Sequence, residues 1–522
     1  MKKSRFQEYY SVIIFIIIFC PIIFLLVDSF FQDRDSLNYL IDNLLFDYSV
    51  NTLYLVVITS FFSLLIGVFP AWFISNYKFK FRRIIDLILY LPLAIPTYIM
   101  AFTYSELLSF TGPFKIKYDF LQIEVLGILL SFSLYPYIYS VSRISFSLFG
   151  SRYLDIAKNL GLTGFQTLYK VVLPLSRPAI FSGLFLVIME VLNEYGAVKY
   201  FGVNTFTIGI FRSWNSMNDT GAAIQLSSIL LFIVAFLFFT EKYLNQYKRF
   251  SFSKNSKVNT LNHTSKRNLF LIYIVCFIPV IFAFLIPVLF NVLNVISIFE
   301  SIDLSRLFTL TFNSFTISLI ASIFILIIST YFIYNEKISK SKVYFYINQF
   351  ISLGYSIPGA VVALSVTVYL TNIDDLFSNV NLLGSFTIYF MILIYAYIIR
   401  FLAVGKSPIK SSLEKHPDSY DDSAKNLGLS NFKIFQKIYF PINKYSFFIA
   451  LTLVFIDIMK ELPITLILRP FNFDTLATQT YEFAVEEMIP LSSIYSFMII
   501  FICSILLIFL KIFLDKTDVF RS

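Results

Sequence analysis

The chain has 522 residues, of which 57% are apolar, 19% aromatic and only 14% charged, with a formal net charge of +9. That balance excludes an ordinary soluble domain. The excess of positive charge has to be read against membrane topology before any acidic partner is considered.

A helix needs about 20 apolar residues to cross ~30 Å of hydrocarbon. Twelve segments qualify, near 11–27, 50–75, 84–104, 123–142, 178–198, 223–240, 269–293, 313–334, 344–370, 383–403, 445–467 and 491–511. The first follows Met1-Lys2-Lys3-Ser4-Arg5 and has no small-residue cleavage site before Asp28, so it reads as a retained helix. The basic, polar stretch 241–268 reads as a linker between a first six-helix half, 1–240, and a second, 269–522. The predicted fold is therefore all-α and polytopic, with two six-helix halves. An even number of helices per half inserts both in the same direction, as parallel repeats.

Charge placement predicts orientation. With the N-terminus inside, the cytoplasmic segments 1–10, 77–83, 143–177, 241–268, 335–343, 400–444 and 511–522 hold 33 of the 41 Lys and Arg residues. Arg34, Lys115, Lys117, Lys199, Arg212, Arg306, Lys460 and Arg469 are the remainder. This is the bias of the positive-inside rule, and it puts both termini in the cytoplasm. No nucleic-acid partner is implied.

One polar stretch occurs twice. Residues 155–174 (DIAKNLGLTGFQTLYKVVLP) and 422–441 (DSAKNLGLSNFKIFQKIYFP) share ten of twenty positions without a gap, at an offset of 267. Asn51 recurs as Asn313 and Pro96 as Pro358, both at an offset of 262. Each loop predicts a two-helix elbow. Residues 152–160 form one short helix, Gly161 takes the left-handed position that ends it, and Thr163 caps a second with Gln166 as capping-box partner. Ser430 caps likewise, while Lys433 removes the box in the second copy. Pro174 and Pro441 are expected to stop the elbow before the fifth helix of each half. Leu154, Ala157, Leu160 and Phe165 are expected to offer an apolar strip to a cleft on another protein. The plainer reading is a generic cytoplasmic hairpin.

The repeated loop resembles the EAA loop of ABC-importer permeases, in which Glu-Ala-Ala, three residues, Gly, nine residues and Ile-x-Leu-Pro form the element that couples to the ATPase. Here Asp155, Ile156 and Ala157 precede Gly161, and Val171, Leu173 and Pro174 close the motif. The second copy runs Asp422, Ser423, Ala424, then Gly428, Ile438 and Pro441. Both copies use Asp for Glu and a second residue other than Ala, and Phe440 replaces Leu in the second. The segments 194–214 and 460–482 resemble those of the fused two-repeat permeases of ferric-iron uptake, a likeness that covers most of the chain. The resemblance implies a type I ABC-importer fold with coupling loops at 152–174 and 419–441. It implies one permease chain per complex, two copies of a cytoplasmic ATPase that uses ATP and Mg, and an extracytoplasmic binding protein. Thiamine, phosphonate and polyamine permeases share the architecture. An ion-coupled secondary carrier is the alternative from another class, although a parallel duplication argues against the inverted-repeat carriers.

Four of the acids inside apolar segments form a repeated pattern. Glu190 and Glu194 are four apart, on one face of the expected fifth helix, and Asp457 and Glu461 repeat them at the offset of 267. Carboxylates at that depth usually face a bundle interior or a water-filled path, and their oxygens suit a hard cation. Two readings stay open: the acids line the translocation pathway, or they brace the bundle by pairing with Lys199, Lys460 or Arg469. Gly405-Lys406-Ser407 resembles the end of a phosphate-binding loop, but Arg400 stands where its first glycine belongs, so this chain is not expected to bind ATP. His263 and His416 are isolated, and Cys20, Cys276 and Cys503 sit singly in apolar helices. No stable metal site, bound cofactor or nucleophile–base pair is expected, which makes this a non-catalytic subunit.

Overall fold

The computed structural model describes residues 2–32, 34–110, 112–113, 115, 117, 119–148, 156–157, 159–246, 262–263, 266–339, 341–376, 386–417 and 419–516. Among the described residues ten helices are long and apolar enough to cross a membrane, and twelve spans result if each of two bent pairs counts as one. The bent pairs are the third and ninth segments: Arg82–Ala94 with Thr97–Leu108 turns by 91°, and Lys342–Ser356 with Gly359–Asp374 turns by 110°. Their cause is visible in the chain. Ile95 and Ile357 take extended ψ values of 113° and 124° before Pro96 and Pro358. A proline forces that conformation on its predecessor and brings no N–H to continue the ladder. These prolines therefore break their spans at a near right angle. Beside the helices, the described residues hold one two-residue parallel pairing, Tyr77–Lys78 with Asn262–His263.

The chain divides into two compact units. One comprises 1–38, 210–231 and 302–479; the other comprises 39–209, 232–301 and 480–522. The opening helix Lys2–Asp28 thus packs within the unit built mainly from the later half. Likewise, the helices Lys266–Val280 and Ile286–Ser297 pack within the unit built mainly from the earlier one.

Close packing of small residues holds each unit. In the second, Thr59, Ser63 and Ser75 on the helix Leu45–Asn76 donate to the carbonyls of Gly127, Ser131 and Arg143 at 3.2, 3.5 and 3.2 Å, always 68 residues on. A constant spacing means that this helix and Ile123–Leu148 run in the same direction. Gly67 lets the two approach: a Cβ there would lie 3.0 Å from the Tyr135 carbonyl oxygen and from the Ile138 Cβ. In the first unit Gly405 plays the same part, since its Cβ would lie 2.9 Å from Ile325 on Leu304–Ser339. Hydrocarbon gives no hydrophobic drive between helices, so small residues and hydroxyl hydrogen bonds of this kind carry the association.

Candidate functional site

The two duplicated loops adopt the same geometry. In the first, Leu160 N–H donates to Ile156 O and Leu162 N–H to Ala157 O, both at 3.0 Å. In the second, Leu427 N–H donates to Ser423 O and Leu429 N–H to Ala424 O, both at 3.2 Å. Gly161 and Gly428 each sit at φ 73°. A bond spanning five residues around a left-handed glycine is the Schellman C-cap, and it turns the chain at the elbow. Thr163 then opens Gly164–Thr167 with a complete capping box: its Oγ1 accepts from Gln166 N–H at 3.3 Å and its N–H donates to Gln166 Oε1 at 3.0 Å. Ser430 opens Asn431–Ile434 with the side-chain half alone, accepting from Lys433 N–H at 3.4 Å.

Pro174 and Pro441 do not stop the elbow. The helix runs on from Gly164 to Asn193, and from Asn431 to Met459, through wide turns at Leu168–Val172 and Phe435–Tyr439. A π turn shifts the carbonyl that a proline ring would strike and needs no N–H from the proline, so the helix survives it. Each elbow is continuous with the span that follows.

Which side chains face outward also differs from the expected strip. Ala157 and Ala424 are buried and anchor the elbows, Ala424 in a core of Ile409, Leu413, Ile434 and Tyr439. Leu160 and Leu427 are 72% and 80% exposed, Phe165 and Phe432 68% and 67%. An outward apolar pair is therefore duplicated, although alanine does not belong to it. Asp422 is exposed in the first turn of Ser419–Asn426, whereas its neighbour Asp421 is buried and accepts from the Tyr439 hydroxyl at 2.7 Å. Asp155, Lys158 and Leu154 lie outside the described residues.

The four acids are not arranged as two pairs along a helix. Leu173–Asn193 ends at Asn193, and Glu194 follows in an extended conformation at φ −64°, ψ 127°. Phe440–Met459 ends one residue before its own break, which leads through Glu461 to the short helix Pro463–Leu468. At each break the carboxylate turns back on the chain. Glu194 accepts from Ala197 N–H at 3.0 Å and Glu461 from Ile464 N–H at 3.3 Å, both three residues on. The Glu194 and Glu461 carbonyls accept from the hydroxyls of Thr207 and Thr465 at 2.7 and 2.9 Å. A spacing of four puts these acids on one helix face only while the helix continues, and both helices end before the second acid of the pair.

Beyond the break the halves diverge. Glu194 accepts from the Thr97 hydroxyl. Glu461 instead forms a buried ion pair with Arg400 at 3.3 Å, the two side chains 6% and 4% exposed. Arg400, counted above with the cytoplasmic loop, lies midway along Phe386–Leu413. Lys406 also lies inside that helix, buried and donating to Asn348 O and to the Ser352 hydroxyl, so no phosphate-binding loop forms there. Glu190 is half-buried and accepts from the Tyr137 hydroxyl at 3.3 Å, and Asp457 pairs with Lys460 at 3.2 Å. Among the described residues no three His, Cys, Asp or Glu side chains gather to hold a metal ion.

Residues 63–249 and 337–519 each match the family described as binding-protein-dependent transport system inner membrane component. The chain belongs to this family. The permease is similar to the Fe(3+)-transport system permease protein FbpB 2 of Haemophilus influenzae, 24% identical over 467 residues and 88% of each chain. Shorter relatives match part of the permease. The sulfate transport system permease protein CysT of Salmonella typhimurium is 32% identical over 162 residues, 29% of this chain and 57% of its own. The molybdate/tungstate transport system permease protein WtpB of Methanocaldococcus jannaschii is 25% identical over 235 residues, 44% of this chain and 91% of its own. The permease is thus a multi-pass inner-membrane subunit of an ABC importer, with the family domain present twice in one chain.

Proposed function

We propose that this permease forms the whole translocation path for ferric iron in an importer that receives its cargo from an extracytoplasmic binding protein. The observation that carries the cargo is the fused Fe(3+) permease, which is similar along 88% of both chains, whereas the sulfate relative covers 29% of this one. One fused chain then serves each complex, and both termini face the cytoplasm.

Two ATPase subunits dock on the elbows. The support is the duplicated outward pair, Leu160 with Phe165 and Leu427 with Phe432, held on capped turns whose helices continue into membrane spans. Asp155, Ala157, Gly161 and Pro174, with Asp422, Ala424, Gly428 and Pro441, form this coupling element, the buried alanines and positive-φ glycines shaping it and the exposed residues meeting the partner. A helix that enters the bilayer without interruption carries a push at the elbow into the span. ATP and Mg belong to those subunits.

Glu190 and Glu194 serve the path in the earlier half. In the later half, Asp457 and Glu461 brace the helix break, a reading supported by their pairing with Lys460 and Arg400. The test is reconstitution with candidate ATPase and binding-protein partners, measuring which loaded binding protein stimulates ATP hydrolysis. The sulfate and molybdate relatives make an oxyanion-loaded protein the competing arm.

A further inference from the structure

A second buried charge cluster lies away from the helix breaks, in the unit comprising 39–209, 232–301 and 480–522. Asp86, on the short helix Arg82–Ile88, is 4% exposed. Its Oδ1 meets Arg143 Nε at 2.6 Å and accepts from the Tyr139 hydroxyl at 2.6 Å; its Oδ2 meets Lys511 Nζ at 3.1 Å. The Lys511 ammonium also stands 4.8 Å over the Tyr90 ring. One carboxylate thus joins three elements. Arg143 and Tyr139 belong to Ile123–Leu148, the helix that leads into the first elbow, and Lys511 lies near the end of the last helix, Ile489–Lys516.

The duplicated position in the other half, 262 residues on, is Asn348, a neutral side chain whose amide donates to Glu336 at 2.8 Å. Lys410, 267 residues beyond Arg143, pairs with that same Glu336 at 3.1 Å, on the helix Leu304–Ser339. The second elbow carries local anchors besides: Tyr439 to Asp421 at 2.7 Å, and the Tyr334 hydroxyl to Asn431 O at 2.6 Å. The residues of the first elbow that correspond to Tyr439 and Asp421 are Val172 and Leu154, which offer no such bond. The later elbow thus carries a tyrosine–aspartate anchor whose side chains the earlier one lacks at the corresponding positions, while the earlier half carries the buried Asp86 cluster on the helix before its elbow.

We propose that Asp86 is a positioning residue for coupling: it fixes the helix entering the first elbow to the last membrane helix, so that movement of that elbow carries the last helix with it. This rests on the reading of the loops as ATPase contacts. Burial makes the link stiff, because separating either cation from the carboxylate strands a charge in a low-dielectric site. Its duplication partner lacks the charge, so the two elbows transmit unequally.

The test uses the full permease reconstituted with its ATPase and binding protein, and reads cargo transported per ATP hydrolysed. Asp86→Asn installs the side-chain type found at 348. Asp86→Asn with Lys511→Met restores charge balance should the single variant accumulate poorly. Either variant, at normal abundance and with ATPase still bound, should lower transport per ATP roughly tenfold, within the range reached by altering a coupling contact, and Asp86→Glu should recover part of it. An unchanged ratio in either variant overturns the proposal. So does failure of both to accumulate, which makes the cluster a folding element. If the parent permease binds no ATPase at all, the reading of the loops fails instead, and that outcome is seen before any variant is made.

Discussion

Glu461 and Arg400 form a buried ion pair at a break in the chain where the duplicated acid, Glu194, meets the hydroxyl of Thr97. Two copies of one acid are thus held by different chemistry. Replacing Glu461 by Gln leaves the guanidinium facing a neutral amide, and removing one partner of a buried pair costs roughly 3–5 kcal/mol. Glu461→Gln should therefore lower abundance and thermal stability. Glu194→Gln keeps one oxygen to accept from Ala197 N–H and turns its amide N–H toward the Thr97 hydroxyl, which can accept, so it should accumulate normally and lose iron uptake. Thermal melts beside uptake per folded molecule decide this. Normal stability for Glu461→Gln, or normal uptake for Glu194→Gln, contradicts the assignment.

Gly359 is the residue that lets the pair form. A Cβ there would overlap Arg400 Nη1 and lie 2.6 Å from Glu461 Oε1, with Ile464 at 3.2 Å. Overpacking a tight site costs about 1–3 kcal/mol. Gly359→Ala should lower the melting temperature of the solubilised permease, and should do so much less in a Glu461→Gln background, where the pair is already lost. Equal losses in both backgrounds would show that the glycine serves other neighbours.

Gly161 and Gly428 test the elbows without disturbing packing. A Cβ at either position meets nothing within 4 Å, so Gly161→Val and Gly428→Val act only through the left-handed backbone. That conformation costs a bulky residue about 1–2 kcal/mol. Membrane insertion should stay normal while co-purification of the ATPase weakens. Full ATP-driven uptake by the double variant would remove the elbows from the coupling path.

Reporter fusions read orientation directly. Fusions at Lys80, Asn159, Lys257, Lys340 and Lys425 should report the cytoplasm, and fusions at Asp42, Asn218, Asp375 and Glu482 the outside. An outside signal at Asn159 or Lys425 would put an elbow beyond the reach of any ATPase.

What the sequence made legible was set by local backbone chemistry and by repetition. Gly161, Thr163 and Gln166 specify their own cap within a few residues, so the elbow geometry could be read directly. The outward face could not: Ala157 belonged to the same apolar stripe as Leu160, and only packing shows which of them faces inward. Arg400 was assigned to the cytoplasm because it ends an apolar window, yet its helix continues to Leu413. Asp86 stands near the start of the apolar segment 84–104 with no repeated counterpart, since Asn348 occupies the duplicated position, and its partner Lys511 lies 425 residues away, a distance at which no spacing rule operates. Pro174 and Pro441 look like stops in any sequence; the π turns that absorb them exist only in three dimensions.

The central claim is that this fused permease imports ferric iron through ATPase subunits seated on its two elbows. Its most direct test is ATP hydrolysis by the reconstituted complex, with each candidate binding protein added in loaded and empty form. The ferric-loaded protein should stimulate hydrolysis and drive iron into the vesicles, and the stimulation should vanish in the Gly161→Val, Gly428→Val permease. Stimulation by a sulfate- or molybdate-loaded protein, with no response to the ferric form, would contradict it.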